Sequence, residues 1–149
     1  MMSSYLLFRL AERLFGVRLQ GAIEILPWRP PRRVPLAYSY VEGILDYRGA
    51  IYPVFNLAQV LGMSKPGPIG FAASEAPDAR KEQSIILLQE GDHPFGITVD
   101  SVVKMALFAD AGEKASEIKG INTNVVKGVR YDDDQEVILL SFERLFHAG

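Results

Sequence analysis

The chain has no cysteine. Disulfides, thiolate nucleophiles and thiolate metal sites are excluded together, and a reducing cytoplasm is a compatible setting. Histidine is nearly absent as well: His93 precedes a proline, His147 is the third residue from the end, and neither has a companion at metal-ligand spacing. No apolar run approaches the ~20 residues that a helix needs to cross a bilayer. Tyr5-Leu6-Leu7-Phe8 is cut short by Arg9, so this start does not read as a secretion signal. Charge of one sign is also missing. Sixteen Lys and Arg against 18 Asp and Glu leave a net charge of −2, which argues against a general nucleic-acid binder and against an anionic-membrane surface protein.

Catalytic constellations are equally scarce. Ser39, Ser101 and Ser141 lack the context of a nucleophile elbow. Gly43, Gly49, Gly96 and Gly128 have no phosphate-loop spacing and read as turn or close-contact positions. Asp132-Asp133-Asp134 reads as a solvated hairpin turn rather than a metal site, because no glycine follows at calcium-loop spacing. With no acid–base pair, nucleophile or metal set, an enzyme is the least favoured class, and no cofactor is expected. Arg29, Arg32 and Arg33 are the one basic cluster. With Trp28 and neighbouring prolines they leave open a small-barrel nucleic-acid module.

What the chain does contain is an approximate repeat. At a shift of 80, Phe15-Gly16-Val17-Arg18-Leu19 falls on Phe95-Gly96-Ile97-Thr98-Val99, and Ala22-Ile23-Glu24-Ile25 on Val102-Val103-Lys104-Met105. At a shift of 85, Val41-Glu42-Gly43-Ile44 falls on Val126-Lys127-Gly128-Val129, and Val54-Phe55-Asn56-Leu57 on Leu139-Leu140-Ser141-Phe142. Such self-similarity predicts two related subdomains. Their expected bounds are 5–62 and 84–147, with a Pro-, Gly- and Ala-rich connector over 64–83. Each half has only about 60 residues, marginal as a free unit, so the halves are expected to fold together.

Short apolar runs punctuated by turn residues predict about ten strands and little helix. Phe95, Ile97 and Val99 alternate with smaller or polar residues at a period of two. Tyr38–Gly43 reads as one helical turn, and Pro53 suggests an edge strand or a bulge. Leu57–Leu61 and Phe142–Phe146 read as short helices. The expected class is all-β, built as two small barrels.

The segment V-P-L-A-Y-S-Y-V-E-G-I-L-D-Y-R-G-A-I-Y-P-V-F-N-L-A-Q-V-L-G, from Val34 to Gly62, resembles the CheW family of chemotaxis coupling proteins. Leu7–Arg9 with Phe15-Gly16-Val17 is similar to that family's opening hairpin. Ala22-Ile23-Glu24-Ile25, Gly96-Ile97-Thr98-Val99-Asp100, Val126-Lys127-Gly128-Val129 and Val137–Phe142 resemble its later strands. The resemblance implies two five-stranded SH3-like barrels and no catalysis. It implies an adaptor between the cytoplasmic tip of a chemoreceptor and the regulatory domain of a CheA-type histidine kinase, monomeric in isolation, cytoplasmic, and recruited to membrane-associated receptor arrays. Asn56 departs from the family's usual aspartate, although an amide still caps a helix. A pilus or other chemosensory-like pathway is the alternative wiring.

The resemblance also nominates Glu24 and the Arg48-Gly49 turn, with the two charges paired in the cleft between the barrels. The repeat carries those positions to Lys104 and Asp133, the same charges exchanged, which predicts a second pair. Tyr47, Ala50, Ile51 and Tyr52 flank the turn and suit a kinase-facing surface. Val17, Leu19, Ile23 and Ile25 could supply an apolar groove for a receptor helix, or serve as ordinary core.

Overall fold

The computed structural model describes residues 2–63, 82–109 and 118–147; the expected connector falls almost wholly outside them. Ten strands are described: β1 (Met2–Leu10), β2 (Arg13–Arg18), β3 (Ala22–Pro27), β4 (Val41–Tyr47), β5 (Ala50–Asn56), β6 (Ser84–Glu90), β7 (His93–Val99), β8 (Ser101–Ala109), β9 (Val126–Asp132) and β10 (Gln135–Leu140). Two short helices follow β5 and β10: α1 (Leu57–Val60) and α2 (Glu143–His147). The Asn56 side chain accepts a hydrogen bond from the Gln59 amide at 3.2 Å, so the amide does cap α1. Tyr38–Gly43 is not helical. A turn closed by the Val41 amide on the Tyr38 carbonyl, 2.9 Å, leads straight into β4.

The strands form two five-stranded sheets, in the orders β8-β1-β2-β10-β9 and β3-β6-β7-β5-β4. Under the sequence repeat these orders are the same order. The registers agree too: Gly16 lies opposite Leu139 in one parallel pair, and Gly96 opposite Val54 in the other. Strand pairing nevertheless cuts across the division at 5–62 and 84–147. Each sheet takes its first hairpin from one half of the chain and its other three strands from the other half.

Burial explains the exchange. Tyr5, Leu7, Leu14, Phe108, Val137 and Leu139 fill one barrel, and Leu26, Leu45, Tyr52, Val54, Ile85 and Leu87 fill the other. A third and larger core lies between them, with Leu6, Phe8, Phe15 and Val17 from one sheet and Ile86, Leu88, Phe95 and Ile97 from the other. Alternate residues of β1 and of β6 thus serve two different cores, which is why these strands are apolar on both faces. Phe142 and Phe146 extend the shared core, Phe142 standing 5.1 Å and Phe146 4.9 Å from Phe95 between ring centroids.

β5 is an interior strand, not an edge, despite Pro53. Pairing with β7 begins only at Val54. Opposite Pro53, Ile44 exchanges both of its backbone hydrogen bonds with Arg32, each 2.8 Å, so β4 asks no donor of the proline. The same exchange fixes Gly43. Its φ is 152°, and a Cβ there would stand 2.3 Å from the Arg32 carbonyl oxygen.

Thr98 is 4 % exposed on the barrel face of β7, opposite Ile85, and its hydroxyl has no hydrogen-bond partner among the described residues. Thr98→Val keeps the shape and removes a desolvated polar group. Chemical denaturation should show a gain of about 1 kcal/mol; a loss of stability would refute this account of the position.

Candidate functional site

The five-stranded sheet that carries β3 and β4 has those two strands as its edges, and one side-chain hydrogen bond reaches from edge to edge. The Tyr47 phenol donates to Glu24 Oε1 at 2.9 Å. Glu24 sits opposite Leu87 and therefore points toward the barrel side of β3, half-buried, while Tyr47 ends β4 and packs against the same barrel core. Arg48 follows in a two-residue turn with φ of 49°, and Gly49 has φ of 81°. Both values belong to the hairpin turn that matches strand twist. The Arg48 guanidinium carbon stands 5.2 Å from the Tyr47 ring centroid.

Glu24 and Arg48 are therefore neighbours, but they do not form the expected ion pair. Tyr47 stands between them, hydrogen-bonded to the carboxylate and stacked under the guanidinium. The arrangement also lies across the closing edge of one barrel rather than in the cleft between two. A carboxylate that accepts the phenol proton holds Tyr47 above the ordinary tyrosine range, with burial adding to the rise and Arg48 opposing it.

The second barrel repeats the device with different chemistry. Lys104 on β8 meets Asp132 on β9 at 2.6 Å, again across the two edge strands. Asp133, the expected partner, sits one residue further on in the exposed turn with φ of 48° and acts on Lys104 only as a nearby charge. The hydrogen bond to Asp132, and then its charge, hold the Lys104 ammonium above the usual lysine range. The repeat itself places the partner: a shift of 80 carries Glu24 to Lys104, and a shift of 85 carries Tyr47 to Asp132. The equivalent of Lys104–Asp132 is Glu24–Tyr47, with the last strand residue as partner and not the turn residue.

The apolar candidates divide. Val17 is 3 % exposed and belongs to the shared core, so it offers no surface. Leu19 packs partly against that core. Ile23 and Ile25 are each 44 % exposed and Ile51 is 55 % exposed, whereas Ala50 and Tyr52 turn inward to the barrel core. Sequence reasoning missed the repeat-related wall on β8, where Val103, Met105 and Leu107 are exposed. Ile25 lies opposite Ile86, and Met105 opposite Leu6, so both strands present apolar side chains at the rim of the shared core. A shift of 80 applied to Ile23 and Ile25 points to Val103 and Met105.

Among the described residues no group of three or more His, Cys, Asp or Glu is placed to hold a metal ion, and no helix is long and apolar enough to cross a membrane. A shallow depression lined by Ser3, Ser4, Arg18, Leu19 and Gln20 lies apart from the Tyr47 cluster.

Known proteins share this architecture. The family model for the CheW-like domain matches residues 4–149. A chemotaxis protein CheW of Treponema pallidum is 29 % identical over 143 residues, covering 95 % of this chain and 80 % of its own. A probable chemotaxis protein CheW of Rhizobium etli is 29 % identical over 141 residues, covering 93 % and 84 %. The crystal structure of the scaffolding protein TtCheW from Thermoanaerobacter tengcongensis superimposes with a TM-score of 0.79 at 26 % identity, over 99 % of this chain and 89 % of that one.

Replacing Glu24 by Gln removes the negative charge beside the phenol. Tyr47 should then ionise at lower pH, measured by phenolate absorbance against a Tyr47→Phe reference. A raised phenol pKa means that the stabilisation is complete below the ordinary tyrosine value and is lost as pH climbs through the folded value. An unchanged titration in Glu24→Gln would show that the carboxylate's charge does not govern this group.

Proposed function

Because the chain belongs to the CheW-like domain family, we propose that it works as a non-catalytic chemotaxis adaptor, coupling chemoreceptor cytoplasmic tips to the regulatory domain of a CheA-type histidine kinase. The observation that carries the reading is the extent of the match. Family model and scaffold structure each account for nearly the whole chain, leaving no further described unit that would need another function.

Two surfaces suit the two partners. The rim of the shared core, with Ile23 and Ile25 on β3 and Val103 and Met105 on β8, offers apolar side chains from both sheets to a receptor helix. The hairpin tip, with Tyr47, Arg48, Gly49 and the exposed Ile51, faces the kinase with an aliphatic residue beside an aromatic and an arginine, the last two being types enriched in interfaces. An adaptor of this kind works in the cytoplasm as a monomer that joins membrane-associated receptor arrays. Holding the kinase in fixed geometry to the receptor lets a small receptor motion bias the kinase between states, for which ~1–3 kcal/mol of differential contact suffices.

Charge reversal at Arg48 tests the assignment. Arg48→Glu should reduce receptor-stimulated kinase activity several-fold in a reconstituted system while the chain stays folded, with a cooperative thermal transition. Full coupling by this variant would remove the hairpin tip from the site.

A further inference from the structure

The loop between β3 and β4 brings a second guanidinium to Tyr47. Its backbone is tied at two points that flank residue 29. The Trp28 amide donates to the Gln83 carbonyl at 3.0 Å, and Arg32 exchanges hydrogen bonds with Ile44. Between these ties Arg29 donates from Nη2 to the Asp46 carbonyl oxygen at 3.0 Å, and its guanidinium carbon lies 5.9 Å from the Tyr47 ring centroid. One phenol ring thus serves two cations, Arg29 and Arg48.

Nearby carboxylates are already engaged. Glu24 accepts the phenol hydrogen bond, and the Asp46 side chain meets Arg32 at 3.8 Å. Neither Arg29 nor Arg48 has an ion-pair partner among the described residues. Two like charges gathered on one ring repel, and the arrangement is relieved when an anion joins them. Both side chains are exposed and steadied by stacking, so an incoming group meets donors that lose little freedom on binding.

Resting on the adaptor reading, we propose that Arg29 and Arg48 together form a carboxylate-binding clamp for an aspartate or glutamate side chain of the kinase regulatory domain, with Arg29 as its second, specificity-determining cation. Guanidinium groups suit this partner because each offers parallel donors to a carboxylate. Exposed Ile51, on the strand that leaves the turn, lies opposite Asp46, whose carbonyl accepts from Arg29.

The test is calorimetric titration of the full chain with the kinase regulatory domain from the same genome, at several salt concentrations. Arg29→Gln should weaken binding about tenfold, equal to about 1.4 kcal/mol, and should flatten the dependence of log Kd on log salt. Arg29→Lys keeps the charge without the planar fork, so it should restore the salt dependence but only part of the affinity. Ile51→Ala should weaken binding with the salt dependence intact. If Arg29→Gln binds like the wild type while Arg48→Glu does not, the clamp is overturned and the adaptor reading stands. If the wild-type chain fails to bind the regulatory domain, the adaptor reading falls and the clamp with it.

Discussion

Double burial of two hairpins is the constraint on which the rest of the molecule depends. β1 with β2, and β6 with β7, each bury one face in a barrel and the other in the core shared by both barrels. Neither half of the chain can satisfy both faces alone, so each hairpin crosses to the other half's three strands. A strand apolar on both faces has lost the alternation that ordinarily fixes register. Size takes over that role. Gly16 lies on the barrel face, where an added Cβ would stand 3.0 Å from both Leu7 and Leu139; Gly96 has Ile85 and Leu87 at 3.1 and 3.2 Å. A slip by one residue would drive Phe15 or Val17, Phe95 or Ile97 into those spaces.

Closure of each barrel is a separate matter and rests on weaker contacts. The edge strands meet through side chains, Glu24 with Tyr47 in one barrel and Lys104 with Asp132 in the other. Solvent-screened polar pairs of this sort contribute little to stability. The fold does not rest on them, and that explains how one barrel can use a carboxylate and a phenol where the other uses an ammonium and a carboxylate.

The sequence revealed whatever had a local or repetitive signature. Strand number, the turn at Arg48-Gly49, the α1 cap at Asn56 and the all-β class were legible from apolar runs and turn residues. Strand exchange was not, because the repeat reads identically whether each hairpin pairs with its own half or with the other. Pro53 misled for a related reason: its missing donor is harmless only because Arg32, distant in sequence, takes the hydrogen bonds of Ile44. In the candidate site, Glu24 and Arg48 do come near one another, but opposite charge suggested direct contact where an aromatic ring intervenes. Arg29 was visible only as part of a basic cluster, since nothing local says that its loop folds back onto β4.

Backbone conformation sharpens the meaning of Arg48. Both barrels place a residue with φ near 50° at the first turn position, Arg48 in one and Asp133 in the other. Aspartate tolerates the left-handed region better than most residues, whereas arginine has no side-chain relief there. Turn geometry alone would favour Asn, Asp or Gly at residue 48. The guanidinium gains a stack on Tyr47, which offsets part of the strain. An arginine in this backbone conformation, exposed and without a carboxylate partner among the described residues, is poorly explained by stability of the chain itself. It is well explained by a contact made only when a partner arrives, and the same geometry that makes the residue expensive in isolation fixes its direction for that contact.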